Sequence, residues 1–456
     1  MLTRRNIIHS AGAFALFGGC TVAGAQQKRL PEAMLWPEAA APAVFPLSIA
    51  PGAAYPVDAA GRPFLMIGDA AWSLIAQLNR EDVELYLEDR RERGFNAVLV
   101  SLVEHKYASR APANIYGEQP FLTQGDFSTP NERYFEHADW VLERAAAKSI
   151  LVLLTPDYLG YDGQDEGWWK DLTRQGPEKL RRWGQFVGKR YAHLKNILWV
   201  NGGDYTAPDK SIVRAVAEGL REANPSALQT VHNGPETLTL DHWSPSRDSW
   251  LSVNTVYTYG HVYDVMREQS ARAAPMPTML VESTYEDEHD VTEDKLRRQA
   301  YEAVLAGGFG HVFGNNPMWH FDGPGLFPAK RTWKQSLNSR GSQSMTHLRN
   351  IMHRAKWWTL APEGPEDSET DDRTAISRSA DGSALIAYLP QGGAIDVDLG
   401  RMAGPNVRLS WYDPSSGELT EIDPAQPAAR QIRTLRAPIA NASRLRDWVL
   451  LAESVG

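Results

Sequence analysis

Two short apolar runs in this chain end on a carboxylate. Ile197-Leu198-Trp199-Val200 stops at Asn201-Gly202-Gly203 and then presents Asp204, while Met279-Leu280-Val281 leads straight into Glu282. A short apolar run bounded by polar residues and glycine reads as a buried strand. The carboxyl end of such a strand is where α/β barrels hold their reactive groups. A pair of carboxyl groups in different protonation states suits cleavage of the bond between two sugars. The protonated group donates to the leaving oxygen, and the ionised one attacks the anomeric carbon or activates a water. Taken singly, Asp204 could equally cap the next helix, since Asp is a preferred N-cap.

The elements around these two runs repeat a strand–helix rhythm. Strands are expected at Phe64–Ile67, Ala97–Val103, Ile150–Leu154, Ile197–Val200, Leu228–Val231, Leu251–Val256, Thr278–Val281 and Phe309–Phe313. Helical spacing is present at Arg80–Arg93, Glu178–Tyr191, Asp209–Ala223, Val262–Ala273 and Thr292–Ala306, the last opened by Thr292 as a cap. Eight such steps over roughly 260 residues predict a (β/α)8 barrel. A doubly wound open sheet is the weaker alternative, because no glycine-rich nucleotide loop follows an early strand. No cofactor is expected. After a helix near Gln343–Lys356 the pattern changes to short alternating runs at Ala375-Ile376, Ala384–Tyr388, Val407–Trp411 and Trp448–Leu451, separated by turn tracts. These predict a small antiparallel β-sandwich. The expected division is 1–25 export signal, 26–46 linker, 47–360 barrel, entered by a hairpin over Leu47–Arg62, and 361–456 β-sandwich.

The predicted strand ends collect Asp69, Glu104-His105, Asp157-Tyr158, Asp204, His232-Asn233, Tyr257, Tyr259, His261, Glu282 and Asn315-Asn316, with Trp319 in the loop after strand eight. One such residue is usually a cap or a satisfied core group, but the set as a whole points to a site. Asp204 on strand four and Glu282 on strand seven would face each other across the barrel mouth, as acid/base and nucleophile do in many retaining barrel glycosidases. Asp69, His105, Tyr158, His232, Tyr257 and Trp319 would bind the sugar. Two other classes stay open. His232, His261 and Asp69 could hold a divalent ion with Glu282, although no His-x-His or His-Glu-x-x-His occurs. A barrel that binds carbohydrate without cleaving it is the other. No Gly-x-Ser-x-Gly elbow supports a serine hydrolase.

The chain of 456 residues is 43% hydrophobic and carries a formal net charge of -9, which disfavours nucleic-acid partners. Its 15 Trp and 16 Tyr supply flat faces of the kind that stack on sugars. The leader has Arg4-Arg5, a short apolar stretch and Ala23-Gly24-Ala25 before Gln26. It reads as an export signal of the twin-arginine kind, too short to span a bilayer. Gly18-Gly19-Cys20 also resembles a bacterial lipobox that would lipidate Cys20. Phe17 is out of character for that box, so soluble export to the periplasm or beyond is expected. Cys20 is the single cysteine, so the mature chain has no disulfide of its own.

The segments FLMIGDAAW, RRERGFNAV, NILWVNGGD, VESTYE and AVLAGGFGHVFGNN resemble, in order, glycoside hydrolase family 140, the apiosidase-like barrels long known as domain of unknown function 4038. The β-domain is similar to the module that follows that barrel. The resemblance implies an exported enzyme that removes a terminal furanose, typically apiose from plant pectin side chains, with the catalytic pair on Asp204 and Glu282. The family often has Pro after the strand-seven Glu, where this chain has Ser283. Glu286, in the family's Tyr-Glu element, is the second candidate for a catalytic carboxylate.

Overall fold

The computed structural model describes residues 41–364, 373–427 and 432–455. The leader with Cys20 and most of the 26–46 linker lie outside the described residues. A two-stranded ribbon, Ser48–Ile49 against Pro56–Val57, leads into the barrel. Eight parallel strands follow: β1 Met66–Ala70, β2 Ala97–Ser101, β3 Leu151–Thr155, β4 Ile197–Gly202, β5 Gln229–His232, β6 Asn254–Tyr257, β7 Thr278–Glu282 and β8 Gly310–Phe313. The hydrogen-bonded order is β5-β4-β3-β2-β1-β8-β7-β6, a barrel closed except at the β5/β6 seam. Side chains bridge that seam: Thr230 Oγ1 donates to Val253 O at 2.6 Å, and Thr255 Oγ1 donates to Val231 O.

Each strand is buried on both faces, which is why the runs read as continuously apolar. Ala97, Leu99, Leu151, Leu153, Leu198 and Val200 fill the barrel, while Val98, Val100, Val152, Leu154 and Trp199 pack against the helices. Those helices are α1 Arg80–Glu92, α2 Glu132–Ala147, α3 Pro177–Arg190, α4 Lys210–Ala223, α5 Val262–Ala273, α6 Glu293–Leu305 and α7 Arg340–Arg354. The β5–β6 connection has only the single turn Thr239–His242. Asn79 caps α1 through Asp82 N at 2.9 Å, and Asp209 caps α4 through Ser211 N at 3.0 Å. Thr292 stands at the N-cap of α6 as expected but makes no capping hydrogen bond.

The second domain is a six-stranded antiparallel sheet of β9 Leu360–Glu363, β10 Ala375–Ser379, β11 Ala384–Leu389, β13 Asn406–Tyr412, β14 Leu419–Pro427 and β16 Trp448–Val455. A ribbon of β12 Ala394–Asp398 with β15 Ile432–Arg436 covers one face, so the sandwich is unequal. Leu385, Ala387, Leu450 and Ala452 point to that ribbon, while Ile386, Tyr388, Val449 and Leu451 join the core that runs into the barrel. Among the described residues no helix is long and apolar enough to cross a membrane.

Candidate active site

The carboxyl ends of the strands open on a cavity of about 790 Å³ lined by Trp72, Tyr107, Tyr158, Asp204, Tyr257, Glu282, Tyr285, Glu288 and Trp319, among others. Asp204 reaches it by an unusual route. Gly202, Gly203 and Asp204 all have positive φ, at 85°, 128° and 54°. A Cβ at Gly202 would lie 2.7 Å from His232 O, and one at Gly203 would lie 2.4 Å from a Tyr158 ring carbon. The two glycines thus let the chain fold over the end of β5. Asp204, a non-glycine residue in the left-handed region, carries the strain that often marks a functional position. Its Oδ2 accepts from Tyr158 OH at 3.2 Å. Its Oδ1 is buried and has no partner of hydrogen-bonding geometry.

Glu282 is the last residue of β7. The β6/β7 register slips there, so that Val256 pairs with Leu280 but Tyr257 pairs with Glu282. A bulge of this kind re-aims a side chain. His232, fully buried at the end of β5, lies between the Glu282 carboxyl and the Asp204 backbone. Its Nε2 lies 2.8 Å from Glu282 Oε2, and its Nδ1 lies 3.1 Å from Asp204 N and 2.9 Å from Asn233 O. An unprotonated Nδ1 accepts from the Asp204 N–H; a protonated one donates to Asn233 O. Trp72 and Tyr257 pack edge-on against the ring, with centroids at 5.7 and 5.1 Å.

The electrostatics separate the two acids. Burial, reinforced by the charge of Glu282, pushes the Asp204 carboxyl up to about 7; His232 and Tyr158 pull only partly the other way. Burial by itself lowers the His232 pKa, but the hydrogen bond and charge of Glu282 outweigh it and raise it. The site therefore places a carboxyl that keeps its proton near neutrality in the same cavity as Glu282, whose side chain meets the His232 imidazole. A general acid needs the first arrangement.

The other sequence candidates divide. Tyr158, Tyr257 and Trp319 line the cavity. His232 lies behind Glu282 and positions it. Asp69 is a correction. Strand one runs three residues further than expected, to Ala70, so Asp69 is in register with helix-facing Val98 and lies within the strand, not beyond it. Its Oδ2 accepts from Tyr86 OH at 2.8 Å and from Arg90 Nη1 at 3.2 Å, fully buried and away from the cavity. His105 also lies outside the lining. Glu104 Oε1 gathers the N–H groups of His105, Lys106 and Tyr107, each at 3.0 Å, and the turn directs the His105 ring onto Trp168 at 4.7 Å. Glu286 is withheld too: its carboxylate accepts from Gly341 N and Asn315 Nδ2, both at 2.9 Å, and holds the start of α7. With Asp69 outside the barrel interior, the set His232, His261, Asp69 and Glu282 is not assembled. Among the described residues no three His, Cys, Asp or Glu side chains gather as a metal site.

Sequence reasoning missed Trp72, Tyr107, Tyr285 and Glu288. Trp72 could have been found in the FLMIGDAAW segment just past strand one. Glu288 sits in a loop with no periodic signal.

Comparison with known proteins agrees with this geometry. The sequence profile described as "Apiosidase-like, catalytic domain" matches residues 51–359, and the chain belongs to that family; it is a glycoside hydrolase. Residues 364–453 match a profile described as "Putative collagen-binding domain of a collagenase". A glycoside hydrolase family 5 protein from Bacteroides vulgatus is similar over 90% of this chain and 93% of its own, at 24% identity and a TM-score of 0.77. A second structure, named only as a glycoside hydrolase, covers 90% of this chain and 98% of its own, also at 24% identity and 0.77. A family 5 mannosidase from Rhizomucor miehei covers 68% of this chain and 99% of its own at 13% identity and a TM-score of 0.51. These likenesses establish the barrel fold. No curated protein sequence matches the chain.

Proposed function

We propose that this protein is an exported, exo-acting glycosidase that releases a terminal furanose of the apiose type from a plant or microbial polysaccharide, with retention of configuration. Asp204 is the acid/base and Glu282 the nucleophile. The observation that carries the reading is that both acids line one cavity of about 790 Å³, with His232 meeting the Glu282 carboxyl on one side and the Asp204 backbone N–H on the other. In the first step Asp204 gives its proton to the leaving oxygen while Glu282 attacks the anomeric carbon. In the second, Asp204 takes a proton from the water that releases the sugar. Trp72, Tyr158, Tyr257 and Trp319 supply stacking faces and hydroxyls for one ring. The arginine pair and small-residue end of the leader support export.

A screen of purified protein against 4-nitrophenyl furanosides and pyranosides identifies the sugar, and the configuration of the first-formed product, read by NMR, decides retention. Asp204→Asn is expected to lower kcat roughly 10²- to 10⁴-fold, the usual worth of a positioned acid. Glu282→Gln should abolish turnover with the fold intact. Substantial turnover by both variants overturns the assignment.

A further inference from the structure

Six acidic side chains line the cavity, and five have a use. Asp204 and Glu282 form the proposed pair. Glu104 is held by three backbone N–H groups and Ser73 Oγ, Glu166 is paired with Lys106 Nζ at 3.1 Å, and Glu236 accepts from Thr258 Oγ1 at 2.7 Å and Tyr259 N at 2.8 Å. Glu288 is the sixth. No ion pair reaches it; the indole of Trp319 lies beside it but makes no hydrogen bond of good geometry. Burial, with the charge of Glu282, pushes its carboxyl up to about 7.

The backbone invests in this placement. Asp287 and His289 on either side have φ of 66° and 48°, a region non-glycine residues seldom adopt. Arg331 Nε holds Asp287 at 2.9 Å, and the His289 ring packs on Phe327 at 4.6 Å. Strain of this kind persists only where the surroundings over-determine it. Glu288 is only partly buried and has no protein partner of good geometry, which leaves its carboxyl open to a ligand in the cavity. Among the described residues lining the cavity there is no Lys and no Arg.

We propose that Glu288 is a specificity-determining residue that accepts hydrogen bonds from hydroxyls of a neutral sugar seated against Trp319, and that the cavity rejects sugars bearing a carboxylate. The proposal rests on the glycosidase reading above. With its carboxyl pushed up to about 7, Glu288 can offer an oxygen as acceptor and its proton as donor to two neighbouring hydroxyls of one ring. A uronic acid would instead bring a further negative charge beside Asp204, Glu282 and Glu288, in a cavity whose lining has His289 but no Lys or Arg to pair it.

The test is steady-state kinetics of wild type, Glu288→Gln and Glu288→Asp on neutral 4-nitrophenyl glycosides and on 4-nitrophenyl β-D-glucuronide and β-D-galacturonide. For the best neutral glycoside, Glu288→Gln should raise KM about tenfold with kcat within about threefold, and Glu288→Asp should recover part of the loss. Uronides should be turned over at least about a hundredfold less efficiently than neutral glycosides. An unchanged KM in Glu288→Gln, a loss confined to kcat, or uronides cleaved as well as neutral sugars overturns the inference. If Glu282→Gln is inactive while Glu288→Gln behaves as wild type, only this inference fails; an active Glu282→Gln fails the glycosidase reading instead. Should no glycoside be cleaved, calorimetric titration with 1,4-dideoxy-1,4-imino-D-arabinitol decides. Binding about tenfold weaker in Glu288→Gln supports the role, and equal affinity overturns it.

Discussion

A carboxyl group buried beside a second carboxylate keeps its proton at neutral pH, and Asp204 is such a group. Its ionised form is disfavoured in the folded protein as pH rises from the ordinary 3.8 to about 7. Activity that needs the proton should therefore fall above about pH 7, roughly tenfold per unit in kcat/KM, measured with a fixed aryl glycoside. The same shift bears on stability. The unfolded chain ionises Asp204 near 3.8, while the fold resists ionisation until about 7, so the group costs stability progressively across that window. Asp204→Asn should raise Tm, by more at pH 8 than at pH 5, while it removes activity. Calorimetry at the two pH values checks this, and an equal or opposite shift contradicts it. The two acids were legible in the sequence because each lies at the end of a buried apolar run, Glu282 directly and Asp204 after Asn201-Gly202-Gly203. Asp69 was misplaced because strand one extends three residues further, to Ala70, and one step of parity in a strand exchanges barrel interior for helix layer.

Among the elements, the turn after β4 and the segment after β7 do the positioning. Gly203→Ala would drive a methyl into the Tyr158 ring, 2.4 Å away, at a backbone angle that L residues avoid. It should displace both Tyr158 and Asp204 and lower kcat together with Tm, in contrast to Asp204→Asn. Glu286 separates structure from chemistry four residues past Glu282. Glu286→Ala leaves the Gly341 N–H and the Asn315 amide unpaired and should cost about 1–3 kcal/mol of stability. Its kcat should stay near wild type under conditions where the variant is folded; a kcat as low as that of Glu282→Gln would return Glu286 to candidacy. Sequence spacing could not distinguish the two acids, because both sit in VESTYE and only the β7 bulge aims one of them inward.

At the scale of the whole molecule, barrel and β-domain are tied by buried contacts. Arg297 on α6 makes a two-pronged pair with Asp447, Nε to Oδ2 at 2.7 Å and Nη2 to Oδ1 at 2.8 Å, with both side chains fully buried. Tyr301 and Tyr388 stack across the same junction at 4.7 Å, and Arg354 Nη2 meets Glu453 Oε2 at 2.8 Å. Removing one partner of a buried pair strands the other charge, so Asp447→Ala should cost about 3–5 kcal/mol. Because the core is continuous across the junction, that loss should appear as a lower Tm for a single transition followed by both near-UV signal and activity. Two separated transitions in the wild type would show that the domains fold independently. The β-domain thereby braces the barrel through α6, the helix that follows the strand bearing Glu282.

The sequence alone determined the barrel and the antiparallel domain after it, and it singled out Asp204 and Glu282 as strand-end carboxyl groups, because hydrophobic period and the residues at strand ends are local signals. Tertiary structure alone decided which polar residues share the cavity. It turned Asp69 and His105 away, put His232 behind Glu282, made Glu286 a helix anchor and thrust Glu288 inward. Those outcomes depend on strand parity, on one bulge and on loops held by partners distant in the chain, such as Arg331 on Asp287, and no local pattern encodes them.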